Sequence, residues 1–125
     1  MAEVKRVPQW IMLEALRNEV KDMYLEKSDG TYDGESYAVA SPTDFDISTQ
    51  DGDPVLRLSS TKTLQVGVGN TIMAIVLNIV DTDTPSAYDN SEDEIRYPIG
   101  GVDGESFPDG GSIEVTDFEV YLNDL

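Results

Sequence analysis

The sequence predicts a mainly β protein with one N-terminal α-helix, its strands forming an antiparallel β-sandwich or small β-barrel. Three observations point there. Residues 8–25, PQWIMLEALRNEVKDMYL, are the one stretch whose apolar side chains recur at helical spacing. Beyond residue 36 the apolar residues alternate or run in short segments, set apart by Asp-Gly, Gly and Pro. A length of 125 residues suits one domain, helix 8–25 plus a β-rich remainder 36–125, with room for a core that needs no disulfide or metal.

Pro8 suits the first position of the helix. Met12, Leu16, Val20 and Met23, flanked by Leu13 and Tyr24, line one face, with Glu14, Arg17, Asn18, Lys21 and Asp22 on the other. That face has to be covered, by the domain's own sheet or by another subunit. Trp10, the sole tryptophan, stands at the helix entrance and suits either role. KSDGTYDG then holds two Asp-Gly pairs that mark turns.

The strand expectations follow in order. Residues 36–40 make a short strand, and SPTDFDISTQDGDP, with Pro42, Asp51-Gly52 and Pro54, reads as loop. Segments 55–59 and 61–68 are strands, the second with Leu64, Val66 and Val68 alternating against Gln65 and Gly67. Gly69-Asn70 reads as a two-residue hairpin turn into strand 71–80. That arm is apolar on both faces through Ile72, Met73, Ala74, Ile75, Val76 and Leu77, so it reads as a central strand. The helix would cover one face, and a second sheet or a neighbouring subunit the other. Residues 96–99 form a further short strand, and GGVDGESFPDGG is turn-rich. In the closing SIEVTDFEVYLNDL, Ile113 and Val115 share one parity while Phe118, Val120 and Leu122 share the other. The slip at Thr116-Asp117 predicts a bulge or a bend.

Charge is the strongest bulk signal. Eight Lys and Arg face 25 Asp and Glu, a net charge of −17. Such a surface repels phosphate, so neither nucleic acid nor an anionic membrane is an expected partner. The longest apolar run, 72–77 extended through Ile79 and Val80, is well short of the roughly 20 residues of a spanning helix. Lys5 and Arg6 lead into Pro8, Trp10 and a charged helical pattern, so no signal peptide is expected. The carboxylates are spread along the chain between apolar segments, which indicates a folded protein with an acidic coat. Four Lys beside fifteen Asp is a pattern like that of salt-in halophile proteins, for which molar salt shortens the screening length to about 3 Å.

Catalytic chemistry finds little to work with. Histidine and cysteine are both absent, which removes the commonest general base, thiol nucleophiles, thiolate metal sites and disulfides. A serine nucleophile would need a lysine partner, and Lys5, Lys21, Lys27 and Lys62 fall in no such motif. With so many acids, close carboxylate pairs arise by chance, so they do not argue for glycosidase chemistry. VGVGN at 66–70 lacks the spacing and lysine of a phosphate loop. The expectation is a protein that is not an enzyme and needs no cofactor.

The segment DTDTPSAYDNSEDE, 81–94, is the candidate metal site. EF-hand spacing fails from Asp29, Asp81 and Asp89 alike. Asp81, Asp83, Asp89 and Asp93 remain as ligands for Ca²⁺ or K⁺ in a site of another kind, against the plainer reading of a solvated loop.

A chain that is catalytically bare, with a buriable helix face and a doubly apolar strand, reads first as a subunit that works by packing into a symmetric array with itself and other structural proteins. Its interface candidates are Trp10, Met12, Leu16, Val20 and Met23 on the helix, and Ile72, Ala74 and Val76 on the strand. The alternative is a β-sandwich module that binds calcium or carbohydrate, with Tyr88, Tyr97 and Phe107 available for sugar stacking. In organisation the chain resembles small virion proteins of tailed viruses: capsid cement (decoration) proteins and head-to-tail connector, tail-terminator or tail-tube subunits. The likeness lies in the leading helix VPQWIMLEALRNEVKDMYL, the strand-turn-strand TLQVGVGNTIMAIVLNIV and the closing VTDFEVYLNDL. It is one of layout and matches no motif, so it carries over no functional residue. With the acidic coat, it implies a virion component of a virus of a halophilic host, or otherwise a protein of a high-salt cytoplasm.

Overall fold

In chain order the elements are α1 (Arg6–Arg17), β1 (Val20–Lys27), β2 (Ala38–Val39), β3 (Phe45–Gln50), β4 (Asp53–Leu58), β5 (Lys62–Val66), β6 (Asn70–Ile79), β7 (Glu94–Pro98), β8 (Glu105–Phe107), β9 (Gly111–Val115) and β10 (Glu119–Val120). They come from a computed structural model, which describes residues 4–79 and 94–122. The protein is mainly β with one N-terminal helix and several antiparallel sheets, as its sequence pattern predicts.

The helix does not run over 8–25. It begins at Arg6 and stops at Arg17, and its last turn closes through the Asn18 N–H to the Glu14 carbonyl at 3.2 Å. Residues 20–27 are instead a strand, paired antiparallel with β6 from Val20↔Ile79 to Lys27↔Ile72. The misleading period has a structural source. A register shift between Val20 and Asp22 puts Val20 on the same buried face as Met23 and Leu25. A bulged strand thereby imitates the three-residue step of a helix.

β6 is central, as its two apolar faces require. β1 lies along one edge of β6, and β7 and β8 share its other edge end to end, giving the order β2-β1-β6-β7 with β8 also paired to β6. Gly104 makes the passage from β7 to β8 possible. Its φ is +71°, and a Cβ there would lie 2.6 Å from the Ile72 carbonyl oxygen.

β10, β4 and β3 form a second sheet, and β5 pairs with β9 in a third. Two turn expectations are corrected here. The stretch read as loop before Pro54 contains β3 and the tip of a β3–β4 hairpin, where Asp51 (φ 52°) and Gly52 (φ 85°) supply the two left-handed residues of a tight two-residue turn. The chain does turn there, but one residue earlier, at Val68-Gly69 (φ 79° at Gly69) with Asn70 already in β6, and the turn does not join a hairpin. β5 leaves to pair with β9 while β6 enters the large sheet, so the turn is a corner between sheets. The parity slip at Thr116-Asp117 is real: β9 ends at Val115 and β10 begins at Glu119 in another sheet.

The core fills the space between these sheets and α1. Leu13, Met23, Leu25, Leu56, Leu64, Ile72, Leu77, Phe45 and Phe118 are all essentially inaccessible and belong to one contiguous cluster.

Candidate interaction surfaces

Two surfaces stand out against this frame. The first is the outer side of α1. Leu13 is fully buried and Leu16 packs on the core, so the helix is seated on β4 and β3 through that stripe. Val7 (72% exposed) and Ile11 (61%) lie on a different stripe, continued by Val4 and flanked by Met12 (49%). Beside them an apolar groove of about 220 Å³ runs between the helix and the β3–β4 hairpin, lined by Val7, Trp10, Ile11, Thr49, Gly52 and Pro54, with Arg6 at its end. The Trp10 indole N–H donates to Glu14 Oε1 at 2.8 Å, which fixes the ring along the helix. Arg6 reaches the hairpin tip, with Nε 3.6 Å from Asp53 Oδ1.

The second surface is the face of the large sheet turned away from the core. Met23 and Leu25 point inward, so Asp22, Tyr24 and Glu26 point outward, opposite Asn78, Val76 and Ala74 of β6. Tyr24 stacks on Tyr32 with ring centroids 5.0 Å apart and meets Tyr37 edge-on at 5.4 Å. Tyr32 donates its hydroxyl to Glu94. Burial first, and then this carboxylate, hold the Tyr32 hydroxyl far above the ordinary phenol range. Burial, followed by the Asp22 charge, raises Tyr24 as well. Around the tyrosines, Asn78 donates to Asp22 at 2.8 Å, and Arg96 clasps Glu26 through two bonds of 2.9 and 2.6 Å. Arg96 is held above its ordinary value chiefly by that bidentate bond. Tyr37 (54% exposed) and Val39 (60%) leave an apolar rim open at this edge.

Asp33 locks the second surface to the rest of the fold. Its carboxylate is 1% exposed and accepts the N–H groups of Gly67 (2.8 Å) and Glu35 (2.9 Å) and the Asn70 amide (3.0 Å). Ser36 completes the join. Its hydroxyl accepts the Leu25 N–H at 2.8 Å, taking a place that a neighbouring strand's carbonyl would otherwise fill.

The expected interface residues divide. Trp10 and Met12 are at the surface of α1, and Leu16 is half-buried on the core. Val20, Met23, Ile72, Ala74 and Val76 are buried inside this chain, so they cover the protein's own sheet and present no surface to a neighbour. Val7, Ile11, Tyr37 and Val39 went unnoticed in the sequence. The 4-7-11 spacing of Val4, Val7 and Ile11 was the available signal for the first pair. Of the sugar-stacking candidates, Tyr97 packs against Phe118 at 5.4 Å and Phe107 packs on the core. Tyr88 and the proposed ligands Asp81, Asp83, Asp89 and Asp93 lie outside the described residues. Among the described residues no group of three or more carboxylates is placed to hold a metal ion, and no helix is long and apolar enough to cross a membrane.

Charge is distributed unevenly along the chain. Residues 1–21 hold four of the eight Lys and Arg and only three of the 25 Asp and Glu. The rest of the chain carries the other four cations against 22 carboxylates. The helix therefore presents an apolar stripe in a segment where cations and carboxylates nearly balance, and residues 54–80, with Arg57 and Lys62, hold no carboxylate at all. Comparison with protein-family models, curated proteins and solved structures finds no match to this chain.

Proposed function

We propose that this protein is a non-enzymatic assembly subunit, a structural component of the virion of a tailed virus with a halophilic host, serving as a capsid cement protein or as a head-to-tail or tail subunit. One observation carries the reading: the exposed Val7–Ile11 stripe beside an apolar groove on a protein that is otherwise coated with carboxylates. Contiguous apolar surface of this kind marks interaction sites on soluble proteins. The layout of helix and strands, the absence of histidine and cysteine, and the Asp-rich, Lys-poor composition support the finer parts of the proposal. Its partners are then copies of itself and other structural proteins, in the virion or, before assembly, in the cytoplasm of a high-salt host.

Light scattering of the purified protein in molar KCl and in low salt tests this. An oligomer in molar KCl that dissociates at low salt is expected. A monomer at every salt concentration would sink the assembly reading.

A further inference from the structure

We propose that Asp51 is a site of spontaneous isoaspartate formation, a backbone modification that the fold confines to the tip of the β3–β4 hairpin. The chain holds five Asp-Gly pairs, at 29–30, 33–34, 51–52, 103–104 and 109–110. All five share the local chemistry, because a glycine puts no Cβ in the path of its own nitrogen toward the preceding carboxyl. Four of them are restrained. The Gly30 N–H donates to the Lys27 carbonyl at 3.0 Å, the Gly104 N–H to that of Gly101 at 3.4 Å and the Gly110 N–H to that of Phe107 at 3.1 Å. The Asp29 carboxylate is also engaged, by the Thr31 N–H at 3.0 Å and hydroxyl at 2.6 Å, and Gly104 is wedged against the Ile72 carbonyl. At 33–34 the carboxylate is the obstacle: Asp33 is buried and held by Gly67, Glu35 and Asn70.

Asp51-Gly52 has neither restraint. Both residues are exposed, and among the described residues no hydrogen bond engages the Asp51 carboxylate or the Gly52 N–H. Asp51 is also the one non-glycine described residue with a positive φ, 52°, a conformation that costs an aspartate free energy. Only the Gln50↔Asp53 pair closes the turn, so the tip opens readily and the side chain can swing onto the next nitrogen. The Gly52 nitrogen then attacks Cγ of the protonated Asp51 carboxyl. The N–Cγ bond forms, and the carboxyl hydroxyl leaves with the amide proton as water. Water next adds to the five-membered imide. Where it breaks the bond from the nitrogen to the Asp51 main-chain carbonyl, that carbonyl becomes a free carboxylate and the chain runs on through the side chain, one methylene longer. Water is lost and regained, and no oxidant or metal is needed. The longer backbone no longer fits a two-residue turn. It displaces Gly52, which lines the α1 groove, and Asp53, which pairs with Arg6, so the corner between helix and hairpin loosens as the protein ages.

The test is peptide mapping with electron-driven fragmentation, which distinguishes the two linkages, on the full chain aged at neutral pH in molar KCl and, in parallel, unfolded in urea. In the folded protein residue 51 should hold most of the isoaspartate, with the other four pairs near background. In urea the five should rise together. Asp51→Gly keeps a residue suited to the turn and should remove the signal at 51 while leaving the other pairs as they were. Asp51→Asn should speed the reaction at 51, because ammonia replaces water as the leaving group and no protonated carboxyl is required. A folded chain in which residue 51 forms no more isoaspartate than the other pairs overturns the inference, whether all five react or none does. The same preference for residue 51 in urea overturns it too, since the selectivity would then lie in the local sequence and not in the fold.

Discussion

Asp33 shows how a single carboxylate stabilises a join between distant segments. Burial pushes its carboxyl up, but the N–H groups of Gly67 and Glu35 and the Asn70 amide together hold it below the usual carboxylate range. A folded-state value below the unfolded one means the stabilisation is complete above about pH 4–5 and is lost as pH falls through the folded value. Asp33→Asn sets an amide group where acceptors are needed on both oxygens. It is expected to cost about 1–3 kcal/mol at neutral pH. The gap from wild type should narrow as the pH falls below about 4, as read from urea unfolding at a series of pH values. Asp44 is a second case. Burial raises it, but Lys62 (3.0 Å) and the Ser41 N–H (2.8 Å) outweigh that and hold it low.

At the scale of elements, the two stripes of α1 should respond in opposite ways to truncation. Leu13→Ala removes a fully buried side chain and is expected to cost about 2–5 kcal/mol. Ile11→Ala should stay within about 0.5 kcal/mol of wild type, because solvent already surrounds it. Thermal or denaturant melts of the pair check both. Gly104→Ala should destabilise whatever the solution conditions, since its Cβ would meet the Ile72 carbonyl.

The same elements explain what the sequence made legible. β6 declared itself because a strand buried on both faces has no polar face to write into its sequence. The break between β9 and β10 was legible because a change of parity is a local signal. β1 was not, because its bulge borrows a helical step and its identity depends on a partner about 50 residues away. The Asp51-Gly52 hairpin was there to be read, but Pro54 beside it suggested loop. Met12 and Trp10 were found as surface candidates while Val20, Met23, Ile72, Ala74 and Val76 were not surface at all. An apolar pattern tells which residues avoid water but not which chain covers them.

For the whole molecule, the governing quantity is charge. Twenty-five carboxylates against eight cations repel one another in the folded state more than in an expanded chain. Raising KCl from about 0.01 M to 1 M shortens the screening length from roughly 30 Å to 3 Å. The melting temperature should therefore climb steadily with KCl, and a flat profile in calorimetry would contradict the halophilic reading.

The pairing of β1 with β6 has one more consequence, which concerns the order of events during synthesis. Tyr24 faces Val76 across the ladder, so β1 leaves the ribosome long before its partner has been made. At about 5–20 residues per second the wait is roughly 3–10 s. Through that interval Val20, Met23 and Leu25 have no sheet to enter, and closing the long loop to β6 makes folding slow relative to a helical protein of this size. The nascent N-terminal segment, whose four cations nearly balance its three carboxylates, is thus exposed to premature association.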